Sequence, residues 1–333
     1  MKVLVSLCTR GRYDNYLAMA LSSLIMQTRK PDHITIYDDN DQPKDIRDIP
    51  AYNYLLVLMD EKGIGWNVVF GRKQGQHFND EMANTTPGFD LVWRFDDDCV
   101  AEPDCLENLL KEMKDGVGAV GGLVIQPRSA KLPPNATNKI DDIYSPNIQW
   151  FDWDGEPREV EHLYSSFIYR SNIAHFDLRL SPVSFRGETM FNHSLYRMGY
   201  KLIVTPKART WHFQSNTGGN RTEAEELKRQ QMYAHDEQIF QDWLKFAQSK
   251  RKIYVLNNGF GDHFIFKRVI NPDKDALIAC CYPDVFPEHT TISIAEAEKL
   301  VDVRLYDVYA WCVNNNWQGN LADAFKKMYE NLN

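Results

Sequence analysis

The sequence contains no apolar run long enough to cross a bilayer. It opens on a short apolar stretch, MKVLVSLCTR, that breaks at Arg10. No later stretch reaches the ~18 apolar residues a span requires, so the chain reads as a cytoplasmic protein without a transmembrane segment. Positive charge is in deficit: 38 Lys and Arg stand against 46 Asp and Glu, a formal net charge of -8, which removes any overall basic field for gathering nucleic acid. Cysteine occurs at positions 8, 99, 105, 280, 281 and 312 with no Cys-x-x-Cys pair. Neither a zinc ribbon nor a thioredoxin-like site is therefore expected, and the thiols read as reduced and structural. Internal repeats and low-complexity tracts are absent as well.

What is present is the balance of an ordinary globular protein, 43% hydrophobic and 25% charged. At 333 residues a single core stops growing, which predicts one large domain and a smaller one. Through the first hundred residues short apolar runs alternate with helical spacing, the pattern of parallel strands joined by crossover helices. Strands are expected at Lys2 to Cys8, His33 to Tyr37, Trp66 to Phe70 and Leu91 to Phe95, with Leu17, Ala20, Leu21, Leu24 and Ile25 forming one helical face after the first. A polar helix around His77 to Thr85, a helix opened by Pro103 and a glycine-rich strand at Val117 to Ile125 follow.

Residues 126–165 lose periodicity and read as a long functional loop. Beyond it come a helix at Gly187 to Met198, a short strand at Lys201 to Val204, a polar glycine-containing stretch from Gln214 to Arg221 and a charged helix over 222–248. A boundary is expected after residue 250. The remainder reads as a fragment of a doubly wound α/β layer: a strand at Ile253 to Leu256, a glycine turn over 257–262, a helix at Phe264 to Ile270 and a strand at Ala276 to Cys281.

Ligands of open α/β sheets bind beyond the carboxyl ends of the strands. Thr9 to Arg12, Asp38 to Asn40 and Asp96 to Asp98 fall at such ends. Three adjacent carboxylates repel one another unless a cation or water relieves them. Side-chain alternation along an extended segment sends Asp96 and Asp98 to one side and Asp97 to the other. Magnesium or manganese accepts one or two carboxylates and completes its shell with phosphate and water, although a solvated acidic turn explains the triplet equally. Glu188, at a helix start, is kept ionised by the helix dipole, either to accept a proton or to cap the helix. Arg12 and Lys73 are placed to steady phosphate oxygens or simply to keep a surface soluble. Trp150 and Trp153 suit the apolar face of a sugar acceptor, or close a small core under the loop.

The segments VSLCTRGRYDNYLAMALSSLIMQTRKPDHITIYDDN, RFDDDCVAEPDCLENLL and FRGETMFNHSLYRMGYKLIVTP resemble the nucleotide-binding start, the metal motif and the catalytic-base helix of the family-2 glycosyltransferases, over roughly residues 1–215. The resemblance implies an α/β protein of GT-A type, with a nucleotide-sugar-binding Rossmann-like sheet. It implies that Asp38 and Asp39 face the base and ribose, and that the Asp-x-Asp pattern falls on Asp96 and Asp98, which would hold Mn2+ or Mg2+. Thr9, Arg12, Lys73, Asp96 and Asp97 then complete the donor-binding set. The family often carries a third acid where this chain has Cys99. Its catalytic base is commonly an aspartate eleven residues before a glycine; counting from Gly199, that position is Glu188, and Gly187 stands where the family has a glutamate. A histidine like His212 often reaches the metal or the diphosphate in the family, a packed aromatic cluster being the alternative here.

The activity implied is inverting transfer from a nucleotide-diphosphate donor, a UDP-sugar, to a hydroxyl acceptor. A metal-dependent nucleotidyltransferase acting on a sugar phosphate and a non-catalytic nucleotide-sugar-binding protein are the rival expectations. A glycan or glycolipid precursor is the family-level acceptor, and the negative net charge disfavours a modified nucleic-acid base. The expected organisation is a glycosyltransferase domain over 1–250, comprising a nucleotide-sugar-binding half (1–125), an acceptor and catalytic half (126–221) and a helical connector (222–250), followed by a small α/β accessory domain over 251–333. NNGFGDHFIF is similar to the start of transferases with two Rossmann-like halves, but its glycine spacing is not the dinucleotide fingerprint, and a docking module is expected.

Overall fold

A computed structural model describes residues 1–71, 73–126, 155–197, 200–220, 225–248, 253–256, 259–272, 274, 276–297 and 308–330. Strands β1 (Val3–Thr9), β2 (His33–Asp38), β3 (Gly65–Phe70) and β4 (Leu91–Asp96) pair in parallel in the order β3-β2-β1-β4. Each lies where the apolar runs predict it. Val3, Leu4, Val5 and Leu7 of β1 are all fully buried, as expected of a strand covered on both faces. Helix α1 (Tyr16–Ile25) buries the predicted face, and the Asn15 side chain accepts the Tyr16 N–H at its start.

The sequence expectations include no helix over residues 50–61, yet α2 (Pro50–Glu61) forms there with proline in its first turn and Tyr52, Leu55, Leu56 and Met59 buried. Helix α3 (Gln76–Asn84) is polar in sequence but interior in position: His77, Asn79, Asp80, Glu81 and Asn84 are all buried. Its acidic and amide side chains find partners inside. The Glu81 carboxylate lies 2.7 Å from His175 Nδ1 and accepts the Phe176 N–H at 3.1 Å. Helix α4 (Cys105–Glu112) starts two residues after Pro103, with Asp104 at its N-cap.

The sheet then turns mixed. Strands β5 (Cys99–Ala101), β6 (Val117–Ile125), β7 (Arg158–Val160), β8 (Phe167–Arg170) and β9 (Lys201–His212) extend it in the order β4-β8-β6-β9-β5, with β7 on β9. Only β6 and β9 pair in parallel in this half. The strand expected at 201–204 therefore runs on to His212. Its extension alternates exposed Lys207 and Arg209 with buried Ala208 and Thr210, and the β6 pairing shifts register across Gly121/Leu123. A Cβ at Gly122 would lie 2.3 Å from the Ala208 carbonyl, so the two strands approach here only because residue 122 is glycine. Helix α5 (Gly187–Arg197) precedes β9, and α6 (Glu226–Gln248) follows it.

Strands β10 (Ile253–Leu256), β11 (Leu277–Cys280) and β12 (Thr290–Ile292) form a separate three-stranded parallel sheet. Helix α7 (Phe260–Ile270) begins four residues earlier than expected, inside the anticipated glycine turn, because the Asp262 carboxylate accepts the Gly259 N–H at 3.1 Å and caps the first turn. Among the described residues, no helix is long and apolar enough to cross a membrane.

Candidate active site

Strands β1 and β4 are neighbours with Cys8 opposite Asp96, so the turn after Thr9 and the acidic run leave the sheet side by side. Strand β9 runs antiparallel to β5 with His212 opposite Cys99, and the Phe213 N–H donates to the Asp98 carbonyl at 3.0 Å. Glu188 stands in the first turn of α5. These segments surround a cavity of about 320 Å³ lined by Arg12, Gln76, Arg94, the three aspartates, Tyr164, Glu188, His212 and Ser215, among others.

Strand β4 ends at Asp96, and Asp97 and Asp98 form the turn into β5, so it is the turn rather than strand alternation that sets their directions. Asp97 accepts from Arg12 Nη1. Asp98 Oδ2 lies 3.2 Å from Arg12 Nη2 and accepts the Ser215 N–H at 3.0 Å, while its Oδ1 is 3.4 Å from His212 Nε2. Asp96 accepts from Gln76 Nε2 and from the Ser165 hydroxyl, each at 2.8 Å. One potential ligand atom from each of Asp96, Asp98, Cys99 and His212 falls within 4.8 Å of the others. The expected pairing of Asp96 with Asp98 is thus present, although Arg12 bridges Asp97 and Asp98.

Burial disfavours charge on all of these groups, and their neighbours decide the outcome. For Asp98 the hydrogen bond and charge of His212, with Arg12 and the Ser215 N–H, outweigh burial and hold the carboxyl down to about 2. For Asp97 burial wins over Arg12, and the carboxyl is pushed up to about 6. Burial also opposes an imidazolium at His212, but Asp98 overcomes it and the pKa is raised. Burial, then the charges of Asp96 and Asp98, push the Cys99 thiol well above its ordinary range, so it stays protonated. Two carboxylates and an imidazole remain as donors. This oxygen-rich set fits Mn2+ or Mg2+, and binding at His212 would displace its proton.

Arg94, in the middle of β4, escaped the sequence reading. Its Nη1 lies 2.7 Å from Glu188 Oε1 and 3.2 Å from Asp96 Oδ1. Its signal was visible as an arginine inside the apolar run LVWRF, where a guanidinium must find buried partners. Gln76 and Ser215 carried no comparable signal.

Of the predicted site residues, the fold brings together Arg12, Asp96, Asp97, Asp98, Glu188 and His212 around the cavity, and Thr9, Asp38, Asp39 and Lys73 do not line it. Thr9 is buried beneath it and faces Asp97. Asp38 accepts from the Tyr13 hydroxyl and the Asn40 amide. Asp39 is fully buried and accepts the Gly75 N–H at 3.3 Å, under a loop whose Gly71 leaves no room for a side chain against it. Lys73 donates to the Asp41 carbonyl at 2.8 Å. Trp150, Trp153 and Gly199 lie outside the described residues.

The family model described as glycosyl transferase family 2 matches residues 4–197. The chain belongs to that family. Its mixed α/β sheet is of the GT-A kind. Its fold is similar to that of GalNAc-T7, solved with UDP, GalNAc and Mn2+, at 12% identity and a TM-score of 0.54 over 95% of this chain and 58% of that one. The crystal structure of S. aureus TarS matches at 14% identity and a TM-score of 0.47, over 71% of this chain and 43% of that one. The chain spans about half the length of those two proteins. No curated protein sequence matches it significantly.

Proposed function

We propose that the enzyme transfers a sugar from a UDP-sugar to a hydroxyl acceptor with inversion of configuration, and that it depends on Mn2+ or Mg2+. The observation that carries this reading is the convergence of Glu188 with Asp96, Asp98 and His212 on one cavity. The fold neighbour bound to UDP, GalNAc and Mn2+ supports the same donor and ion classes. Asp96, Asp98 and His212 would hold the cation, which when bound would neutralise the diphosphate and ease its departure.

Glu188 accepts the proton of the acceptor hydroxyl as that oxygen bonds to the anomeric carbon. The bond from this carbon to the diphosphate oxygen breaks, and nucleoside diphosphate leaves. Attack from the face opposite the leaving group inverts the centre. Arg12 is assigned to the diphosphate, whose oxygens its fork can take from Asp97 and Asp98. Asp38, Asp39, Thr9 and Lys73 are assigned to the base and ribose side, shaping it through Tyr13, the 71–75 loop and the end of β1.

The division at residue 250, with residues 251–333 as an accessory domain, belongs to the same proposal and is supported by the separate sheet β10-β11-β12. So do a glycan or glycolipid-precursor acceptor and work in the cytoplasm, the latter supported by the six free thiols, three of them buried.

Incubation with a panel of nucleotide sugars, with and without Mn2+, tests the reading. Release of nucleoside diphosphate in the presence of Mn2+ and not with a chelator supports it. Pyrophosphate as product would indicate nucleotidyl transfer, and a product of retained anomeric configuration would overturn inversion.

A further inference from the structure

We propose that Arg94 is the positioning residue of this active site: one buried guanidinium holds the base Glu188 and the cation-site carboxylate Asp96 at a set separation, so that proton removal is aligned with the loaded donor. The inference rests on the catalytic reading of Glu188 given above. Arg94 Nη1 touches both acids, at 2.7 Å from Glu188 Oε1 and 3.2 Å from Asp96 Oδ1. From behind, Arg94 Nε donates to Asp80 Oδ2 at 3.0 Å, and Asp80 in turn accepts the Ser6 hydroxyl at 2.8 Å. Nη1 also donates to the Ser165 carbonyl, and the Phe167 ring centroid lies 5.9 Å from the guanidinium carbon. With side-chain exposures of 8% for Arg94 and 1% for Asp80, the fork is clamped and has little freedom to turn.

The apolar packing of the strand does not by itself call for this arginine. The flanking Val92, Trp93 and Phe95 are fully buried, so an apolar residue at 94 would suit the strand, but it would leave the buried Asp80 without its counter-charge. What an apolar residue could not do is keep Glu188 and Asp96 together, since two unscreened carboxylates at a shared site repel. Lysine would keep the charge but not the planar fork that addresses Asp80, Asp96 and Glu188 in fixed directions.

The test compares Arg94→Lys, Glu188→Gln and the double variant by kcat and donor KM, with UDP–Mn2+ binding measured by calorimetry and crystal structures of the wild type and Arg94→Lys. Arg94→Lys is expected to lower kcat roughly 10- to 100-fold while leaving donor KM and UDP–Mn2+ binding within about threefold, the signature of misplaced reacting groups. Because Arg94 acts through Glu188, the double variant should be no slower than Glu188→Gln alone. An unchanged kcat in Arg94→Lys, or losses that multiply in the double variant, overturns the proposal while leaving the base assignment standing. Wild-type rates in Glu188→Gln would instead sink the base assignment. In that case, or if no donor turns over, the crystal structures decide: an unchanged separation of the Glu188 and Asp96 carboxylates in Arg94→Lys overturns the positioning role, and a widened one supports it.

Discussion

At the scale of single residues, Glu188 and Asp98 stand in the same cavity but are assigned different work, and substitution should separate them. Glu188→Gln removes a proton acceptor while keeping size, so turnover should fall by about 10²- to 10⁴-fold with UDP–Mn2+ binding retained. Asp98→Ala removes a ligand that His212, Arg12 and the Ser215 N–H all address, so it should weaken cation binding, donor binding and turnover together. Calorimetry beside steady-state rates distinguishes the two patterns, and equal losses of binding in both variants would contradict the division of roles. The acidic run and Glu188 could be read as candidates because the family's Asp-x-Asp pattern and its base-helix register fall on them, whereas position alone leaves an acidic turn and a helix cap as alternatives. Asp39 was less so: its carboxylate caps backbone N–H groups of a neighbouring loop, a partner that no spacing along the chain reveals. The charge of Arg94 within an apolar run is visible in the sequence, but its partners Asp80 and Glu188, distant along the chain, are not.

Secondary-structure elements obey the same division between local and distant causes. The four parallel strands and α1 could be read directly, since apolar periodicity is local. The helix α2 had the right spacing at Tyr52, Leu55, Leu56 and Met59 and went unread only for want of a flanking signal beyond Pro50. The length of β9 was not legible in this way, because its later half buries Ala208 and Thr210 in place of branched side chains and owes its path to the close approach at Gly122. That length is what delivers His212 to Asp98. The segment after β9 then folds back: the Gly219 N–H donates to the Arg10 carbonyl at 2.8 Å and the Thr217 carbonyl accepts from Arg12 Nε at 3.2 Å. Gly218 sits there at a φ of 71°, and a Cβ would lie 2.6 Å from the Arg10 carbonyl. Gly218→Ala should therefore cost about 1–2 kcal/mol of local strain, loosen the segment from Arg12 and raise the donor KM several-fold with a smaller change in kcat. A donor KM equal to that of the wild type would show that the segment plays no part in holding the donor.

Across the whole molecule, buried ionisable groups make stability depend on pH. Burial holds the imidazoles of His77 and His162 down to about 4. An unfolded histidine titrates near ~6.5, so between these values the unfolded chain binds more protons than the folded one. The stabilisation is complete above pH ~6.5 and is lost as the pH falls through about 4, at no more than about 1.4 kcal/mol per pH unit for each residue. Burial pushes Asp80 up to about 7 and Asp97 up to about 6, which acts in the opposite sense, so the histidines are read by difference. Melting temperatures between pH 7 and pH 4.5 should fall less steeply, or rise more, in His77→Gln and His162→Gln than in the wild type, and parallel curves would count against the assignment. Among the described residues, Asp80, Asp96, Asp97, Asp98 and Glu188 crowd around two guanidinium groups, those of Arg12 and Arg94, and the His212 imidazole. On the proposed function, a bound cation would offset this surplus of carboxylates, so resistance to heat should rise with loading. Protein stripped with a chelator should melt below protein given Mn2+ before any sugar donor is added, and a melting point indifferent to the ion would mean that the surplus charge is met some other way.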